Sequence, residues 1–142
     1  MDLFVAGPPC QPFSAQGQRA GADDARASLL FQVVLWICRK KPLTFCIEQV
    51  RGLQSQHPET LVYVLQTLAK VKDSAGQALY TVQYRLLNAR VHSSLPQHRE
   101  RLFIVGAQRA KMKRSSFQWP QEASSGQNML LSPSRSMACD LR

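Results

Sequence analysis

The chain has 142 residues, enough for one domain of ordinary size, and its 44% hydrophobic content excludes a disordered tail. Eighteen Lys and Arg stand against nine Asp and Glu, a net charge of +9 that favours a polyanion or an anionic surface as partner. No apolar run approaches the roughly 18 residues that cross a bilayer, and MDLFVAGPPC lacks a basic leader before a long apolar core, so neither a membrane-spanning nor a secreted protein is expected.

The first expected element is a buried strand over residues 3–6, closed by Gly7-Pro8-Pro9, because two prolines lack the donors that a strand ladder needs. It begins within a few residues of Met1, with no cap or lead-in, which gives the chain the look of a piece cut from something longer. A polar, glycine-bearing loop follows. Residues 27–40 read as a mostly buried helix, with Asp23 and Asp24 before it and Arg39, Lys40 and Lys41 at its end, matching the helix dipole. Pro42 stops it, and residues 43–47 are a β-rich run ending at Glu48. Strand, loop, helix and strand make a βαβ unit, so the two strands are predicted parallel with a right-handed crossover.

A second helix is predicted over residues 58–72, with Leu61, Val64, Leu65, Leu68 and Val71 on one face and Pro58 in its first turn. Gly76 is expected in the turn after it. Tyr80, Val82, Tyr84 and Leu86 alternate with Thr81, Gln83 and Arg85, the period of a half-buried strand. A further strand, Leu102-Phe103-Ile104-Val105, follows the turn-like Ser93-Ser94-Leu95-Pro96 and is expected to pair with it antiparallel. Residues 1–108 form one expected unit. Residues 109–142 are basic, rich in Ser and Gln, and show no clear element, and there are no internal repeats.

In an open parallel sheet a reactive site lies outside the carboxyl ends of the strands. Cys10 follows the first strand and Glu48 ends the second, 38 residues later, so they are expected to be spatial neighbours. If the Tyr80 strand runs parallel to these two, its antiparallel partner starts from the same rim, and Gln97, Arg99 and Arg101 reach the same cleft. A lone Cys is commonly an inert buried hydrophobe. In a loop after Pro9, backbone restraint can instead hold Cys10 outside the core, where arginines favour the attacking thiolate. Glu48 reads either as a solvated strand-end carboxylate or, given Cys46, Ile47 and Val50 around it, as a partly buried group suited to acid work. Arg99 and Arg101 alternate and so face one way, either as a charged strand entrance or as binders of phosphates and base edges. His57, His92 and His98 read as turn or surface residues, and none has metal-ligand spacing. Cys10, Cys38, Cys46 and Cys139 form no CxxC pair and suggest thiols rather than a zinc cluster or a disulfide framework.

These residues carry a resemblance. Gly7-Pro8-Pro9-Cys10-Gln11-Pro12-Phe13-Ser14 resembles the nucleophile loop of the cytosine-5 DNA methyltransferases, followed at the family's spacing by Gly17, Gly21, Asp24, Arg26 and Leu29. Glu48-Gln49-Val50 resembles the Glu-Asn-Val element, and Gln97-His98-Arg99-Glu100-Arg101 resembles the Gln-x-Arg-x-Arg element. The agreement runs from about Asp2 to Gly106, in order and with consistent gaps.

The resemblance implies an α/β, Rossmann-like methyltransferase sheet, incomplete, with a C-terminal antiparallel hairpin and without the N-terminal cofactor-binding half. It implies DNA as partner and S-adenosylmethionine as methyl donor, in the nucleus of a eukaryote or the cytoplasm otherwise. Cys10 would attack C6 of a flipped cytosine, Glu48 would serve its N3/N4 edge, and Arg101 and Arg99 would hold the base, its sugar-phosphate and the pocket. Gln11 and Ser14 would lie on a mobile loop over the DNA, with Gln97 also on the DNA side, and Pro9 and Leu29 would border the cofactor.

Two departures stand out. Gln49 replaces the family's Asn, which holds the cysteine loop through backbone hydrogen bonds, so a longer side chain is expected to hold it less well. Val91-His92-Ser93-Ser94 lacks the family's acidic-aromatic-glycine turn. The Phe-x-Gly-x-Gly cofactor loop and most of a target-recognition region are not in these 142 residues, although Phe117-Gln118-Trp119-Pro120 resembles the lead-in to that region. The remainder of the domain is therefore an expected partner, and weak S-adenosylmethionine binding by these residues alone is expected, with the first strand left as an exposed apolar edge. A non-catalytic nucleic-acid-binding relic and an RNA cytosine methyltransferase are the alternatives.

Overall fold

The structure is a computed structural model that describes residues 1–9, 28–93, 95–111 and 117–122. The elements in chain order are β1 (Leu3–Ala6), α1 (Ser28–Lys40), β2 (Thr44–Val50), the short α2 (Gly52–Ser55), α3 (Pro58–Ala69), β3 (Tyr80–Asn88), the short α4 (Ala89–His92), β4 (Glu100–Gln108) and a 3-10 turn at Arg109–Lys111.

The four strands form one sheet in the order β1-β2-β4-β3. β1 and β2 are parallel, whereas β4 runs antiparallel to both neighbours and separates β2 from β3. This mixed α/β architecture is the Rossmann-like arrangement expected, with β4 as the reversed strand. The passages from β1 to β2 and from β2 to β3 advance in the same direction across the sheet, so their helices fall on one face.

That face holds the core. Phe45, Ile47, Leu102 and Ile104 meet Leu30, Val34 and Ile37 of α1 and Leu61, Val64 and Leu68 of α3, all buried. Each such side chain contributes about 1.5–3 kcal/mol by leaving water. Gly106 is required where it stands, because a Cβ there would lie 2.1 Å from the Phe45 ring that covers it. Tyr80 stacks edge-on against Phe45 and donates its hydroxyl to the Pro42 carbonyl at 2.8 Å. The opposite face carries Cys46, Glu48, Phe103 and Val105, and Trp119 reaches it with its indole N–H 3.2 Å from Gln83 Oε1.

Several boundaries differ from the sequence pattern. β2 continues through Glu48 to Val50, because full pairing with β4 supplies ladder partners that the sequence alone does not reveal. The helix expected to reach residue 72 stops at Ala69, as the chain turns into a bridge between Lys72 and Ala78. Asp73 builds that turn by accepting from the backbone of Ala75 and Gln77 at 2.9 Å, and Gly76 takes φ 77. Tyr84, expected on the buried face, is exposed, since the helix layer does not extend over that stretch of outer strand. The turn expected at residues 93–96 is preceded by α4, and 109–111 forms one 3-10 turn where no element was expected. The start of α1 holds no acid in its first turn, and Asp23 and Asp24 lie outside the described residues. β1 is an edge strand, so Leu3 and Val5 are exposed where the apolar run suggests a buried strand, and the expected open apolar edge is present. No described helix is long and apolar enough to cross a membrane.

Candidate active site

β1 and β2 are parallel, so their carboxyl ends share one rim, and β4 begins there because it runs the other way. Gly7 leaves β1 directly beside Glu48: a Cβ on Gly7 would stand 3.2 Å from Glu48 Oε2. Glycine lets the loop pass that close to a carboxylate. Cys10, Gln11 and Ser14 lie outside the described residues, whereas Pro8 is buried and Pro9 exposed at the loop's start.

Glu48 is a diagonal neighbour of Arg101 across the β2–β4 ladder, since Val50 pairs with Arg101 and Glu48 with Phe103. Arg101 Nε lies 2.8 Å from Glu48 Oε1, with the two side chains 26% and 38% exposed, so the pair is neither sealed in the core nor dissolved in water. A second guanidinium bond, from Arg101 Nη1 to the Glu100 carbonyl at 2.8 Å, fixes the plane of the fork. Arg51 in turn pairs with Glu100 at 2.8 Å. Two of the rim's cations, Arg51 and Arg101, are thus engaged by carboxylates.

Glu48, Arg99, Arg101, Asn88, His92 and Phe103 line a cavity of about 540 Å³, within the usual range for a small-molecule site. Arg99 and Arg101 therefore do face one space, as their alternation suggests. Gln97 is exposed and is not among the lining residues.

Two lining residues have no place among the sequence-based candidates. Asn88 Oδ1 accepts from the backbone N–H groups of Arg90 at 3.1 Å and Arg99 at 3.3 Å, capping α4 and tying the Arg99 backbone to β3. Its preference for helix caps is a signal for the cap, not for the cavity wall. His92, expected in a turn or at the surface, is half-buried, with Nδ1 3.1 Å from the Asn88 carbonyl and 3.2 Å from the Asn88 N–H. Nothing in a one-dimensional pattern pointed to it.

Gln49 is 1% exposed, and its Nε2 donates to the Pro8 carbonyl at 3.0 Å. The longer amide reaches the start of the loop after all. Its Oε1 is buried with no partner among the described residues. Two thiols are poor candidates for nucleophilic work: burial pushes Cys38 up, and burial followed by the nearby Glu48 charge pushes Cys46 up, which keeps both protonated.

Pro9 and Leu29 line a second cavity, of about 410 Å³, with Phe4, Gly7, Val33 and Trp36. Phe4 and Trp36 stack there at 4.2 Å between ring centroids. This wall is apolar and lies along the open β1 edge.

Comparison with known proteins gives one consistent result. The chain matches the family described as C-5 cytosine-specific DNA methylase over residues 1–136. It is 35% identical over 123 residues to the type II methyltransferase M.AquIA of Picosynechococcus, covering 85% of this chain and 48% of that protein. It is 38% identical over 106 residues to the type II methyltransferase M.NgoBI of Neisseria gonorrhoeae, covering 74% of this chain and 31% of the relative. The chain thus spans about half or less of the length of these curated relatives. Among solved structures, the Entamoeba histolytica methyltransferase EhMeth superposes with a TM-score of 0.55 at 19% identity, over 86% of this chain and 36% of that one, a likeness of fold.

Proposed function

The chain belongs to the C-5 cytosine-specific DNA methylase family, and from that premise we propose that it carries the base-handling half of a DNA cytosine-5 methyltransferase. The observation that carries the reading is the meeting of Gly7, which opens the cysteine loop, with the Glu48–Arg101 pair beside one cavity.

The Cys10 thiolate attacks C6 of an everted cytosine, forming an S–C6 bond and moving the ring's electron pair toward C5 and N3. Glu48 holds a proton at N3, so negative charge on the ring is relieved as it develops. Arg101, braced by Glu48 and by the Glu100 carbonyl, positions that carboxyl and the sugar-phosphate. Arg99, whose backbone is tied to Asn88, supplies a second guanidinium for phosphate. S-adenosylmethionine, when bound, supplies an electrophilic methyl group for C5. Once C5 is methylated, solvent water or hydroxide takes the C5 proton, the C–H electron pair restores the C5–C6 double bond, and the S–C6 pair leaves with sulfur to return the Cys10 thiolate. Gln49 keeps the cysteine loop in register through the Pro8 carbonyl. Gln11, Ser14 and Gln97 face the DNA, where Ser14 donates to a phosphate.

Pro9 and Leu29, with the stacked Phe4–Trp36 pair, fit one apolar wall for the adenosyl group. The ribose and methionine contacts then fall to the remainder of the domain, the protein partner proposed for the β1 edge. Residues 109–142 are the lead-in to the target-recognition region, and the protein works where its DNA is, in a nucleus or in a cytoplasm.

The test is covalent trapping. The whole protein is incubated with S-adenosylmethionine and a duplex carrying 5-fluorocytosine, whose C5–F bond blocks release. A denaturation-resistant adduct is expected from the wild type and none from Cys10→Ser, a fall of at least about a thousandfold. No adduct from folded, cofactor-bound wild type overturns catalysis in favour of a nucleic-acid-binding relic. Preferential trapping on structured RNA would move the substrate to RNA.

A further inference from the structure

We propose that the end of the sheet opposite the catalytic rim is a second docking surface, for the phosphate backbone of another stretch of duplex DNA. The choice of polyanion rests on the DNA reading above, whereas the surface itself stands on the charge layout.

Three elements end at this floor. α1 finishes with Arg39 and Lys40, followed by Lys41. α3 is followed by Lys70 and Lys72, and β4 by Arg109 and Lys111. All seven side chains are exposed. Among the described residues the acids at this end are Asp2, beside β1, and Asp73, whose Oδ1 accepts from two backbone N–H groups. None of the seven cations forms an ion pair among the described residues. Two are held in place by the fold itself, Lys41 Nζ on the Lys72 carbonyl at 2.8 Å and Arg109 Nε on the Tyr80 carbonyl at 3.2 Å.

Helix dipoles do not account for the cluster. The carboxyl ends of α1 and α3 each present roughly half a negative charge, which together offset about one cation. A surplus of several charges on a single face is what a phosphate backbone recognises. Rim and floor are separated by the length of β2, whose seven residues rise roughly 20 Å at about 3.3 Å each. For a duplex lying across the strand ends at the rim, the floor is set back by that distance and is left for a second segment.

The experiment uses the whole protein. It is first locked on a short 5-fluorocytosine duplex, and a second, labelled duplex without the modified base is titrated in while anisotropy is read from 50 to 200 mM salt. The wild-type adduct captures the second duplex. The variant Arg39→Gln/Lys40→Gln/Lys70→Gln/Lys72→Gln alters exposed side chains that lie outside both the catalytic rim and the lead-in segment. It forms the adduct at the wild-type rate, whereas its slope of log K against log salt falls in size by about 3 to 4 units, near 0.9 per lost contact. Lys40→Arg/Lys70→Arg keeps the wild-type slope. An adduct-loaded wild type that captures no second duplex, or a Gln variant with an unchanged slope, overturns the proposal. So does a variant that loses retention on vesicles rich in anionic lipid while its DNA slope stays the same. If the wild type forms no adduct, catalysis has failed. The salt slopes of the unlocked wild type and variant then still decide the floor.

Discussion

At the carboxyl ends of β1 and β2, Arg101 lies 2.8 Å from Glu48 and Arg51 lies 2.8 Å from Glu100. At the opposite end of the same sheet, the lysines and arginines at the ends of α1, α3 and β4 are exposed and form no ion pair among the described residues. The same residue types therefore do different work. A guanidinium fixed by a carboxylate and a carbonyl loses its freedom and becomes a positioning device, aimed at one small cavity. Cations on an open face without carboxylate partners, two of them hydrogen-bonded to carbonyls, act through summed charge, which is strong at low salt and fades as salt rises. Net charge of the whole chain hides this division.

The comparison breaks most readily at the rim. Glu48→Gln removes the proposed proton donor and the partner of Arg101 together, and the rate of methyl transfer by the whole protein is expected to fall by about 10²–10⁴-fold, with little change in the salt dependence of DNA binding. A variant that keeps its rate would place the acid elsewhere. A smaller effect is expected from Gln49→Ala, which strips the buried Pro8 carbonyl of its donor and costs about 1–3 kcal/mol in chemical denaturation. Slower adduct formation on 5-fluorocytosine should accompany it, since the same bond sets the start of the cysteine loop.

The smallest effect is expected at the floor. The Tyr80 hydroxyl is pushed up to about 12 from 10.0, chiefly by burial. Its protonated form is thus favoured by folding, and the stability this confers is present below pH 10 and lost as pH rises from 10 to about 12. Tyr80→Phe should cost about 1 kcal/mol near neutral pH and flatten the alkaline limb of the stability curve without touching adduct formation. An alkaline limb that stays as steep in the variant would assign it to another group.

Much of the rim was legible before any coordinates. Strand ends mark themselves through proline and through the switch from apolar run to polar loop, so Gly7-Pro8-Pro9 and Glu48 announce where a site forms. Arg99 and Arg101 announce a shared direction through their spacing. Asn88 and His92 were not legible as cavity walls, because their position depends on α4, a single turn with no hydrophobic period of its own. The exposure of Tyr84 was hidden for a related reason: alternation tells which residues share a face, and only the helix layer tells how far that face is covered.

Periodicity, turn chemistry and the order of the Cys, Glu and Arg elements lie in the chain itself, so the sequence alone determined the α/β class, the βαβ start, the antiparallel end and the family. Tertiary structure decided the rest. The insertion of β4 between β2 and β3 brings Arg101 to Glu48 and the end of β4 to the floor, while the parallel pairing of β1 with β2 brings Gln49 to the Pro8 carbonyl and the crossovers bring the ends of α1 and α3 to the same floor. Each of these depends on pairing between segments tens of residues apart, which local preference does not encode and which only ladder hydrogen bonds and a shared core select.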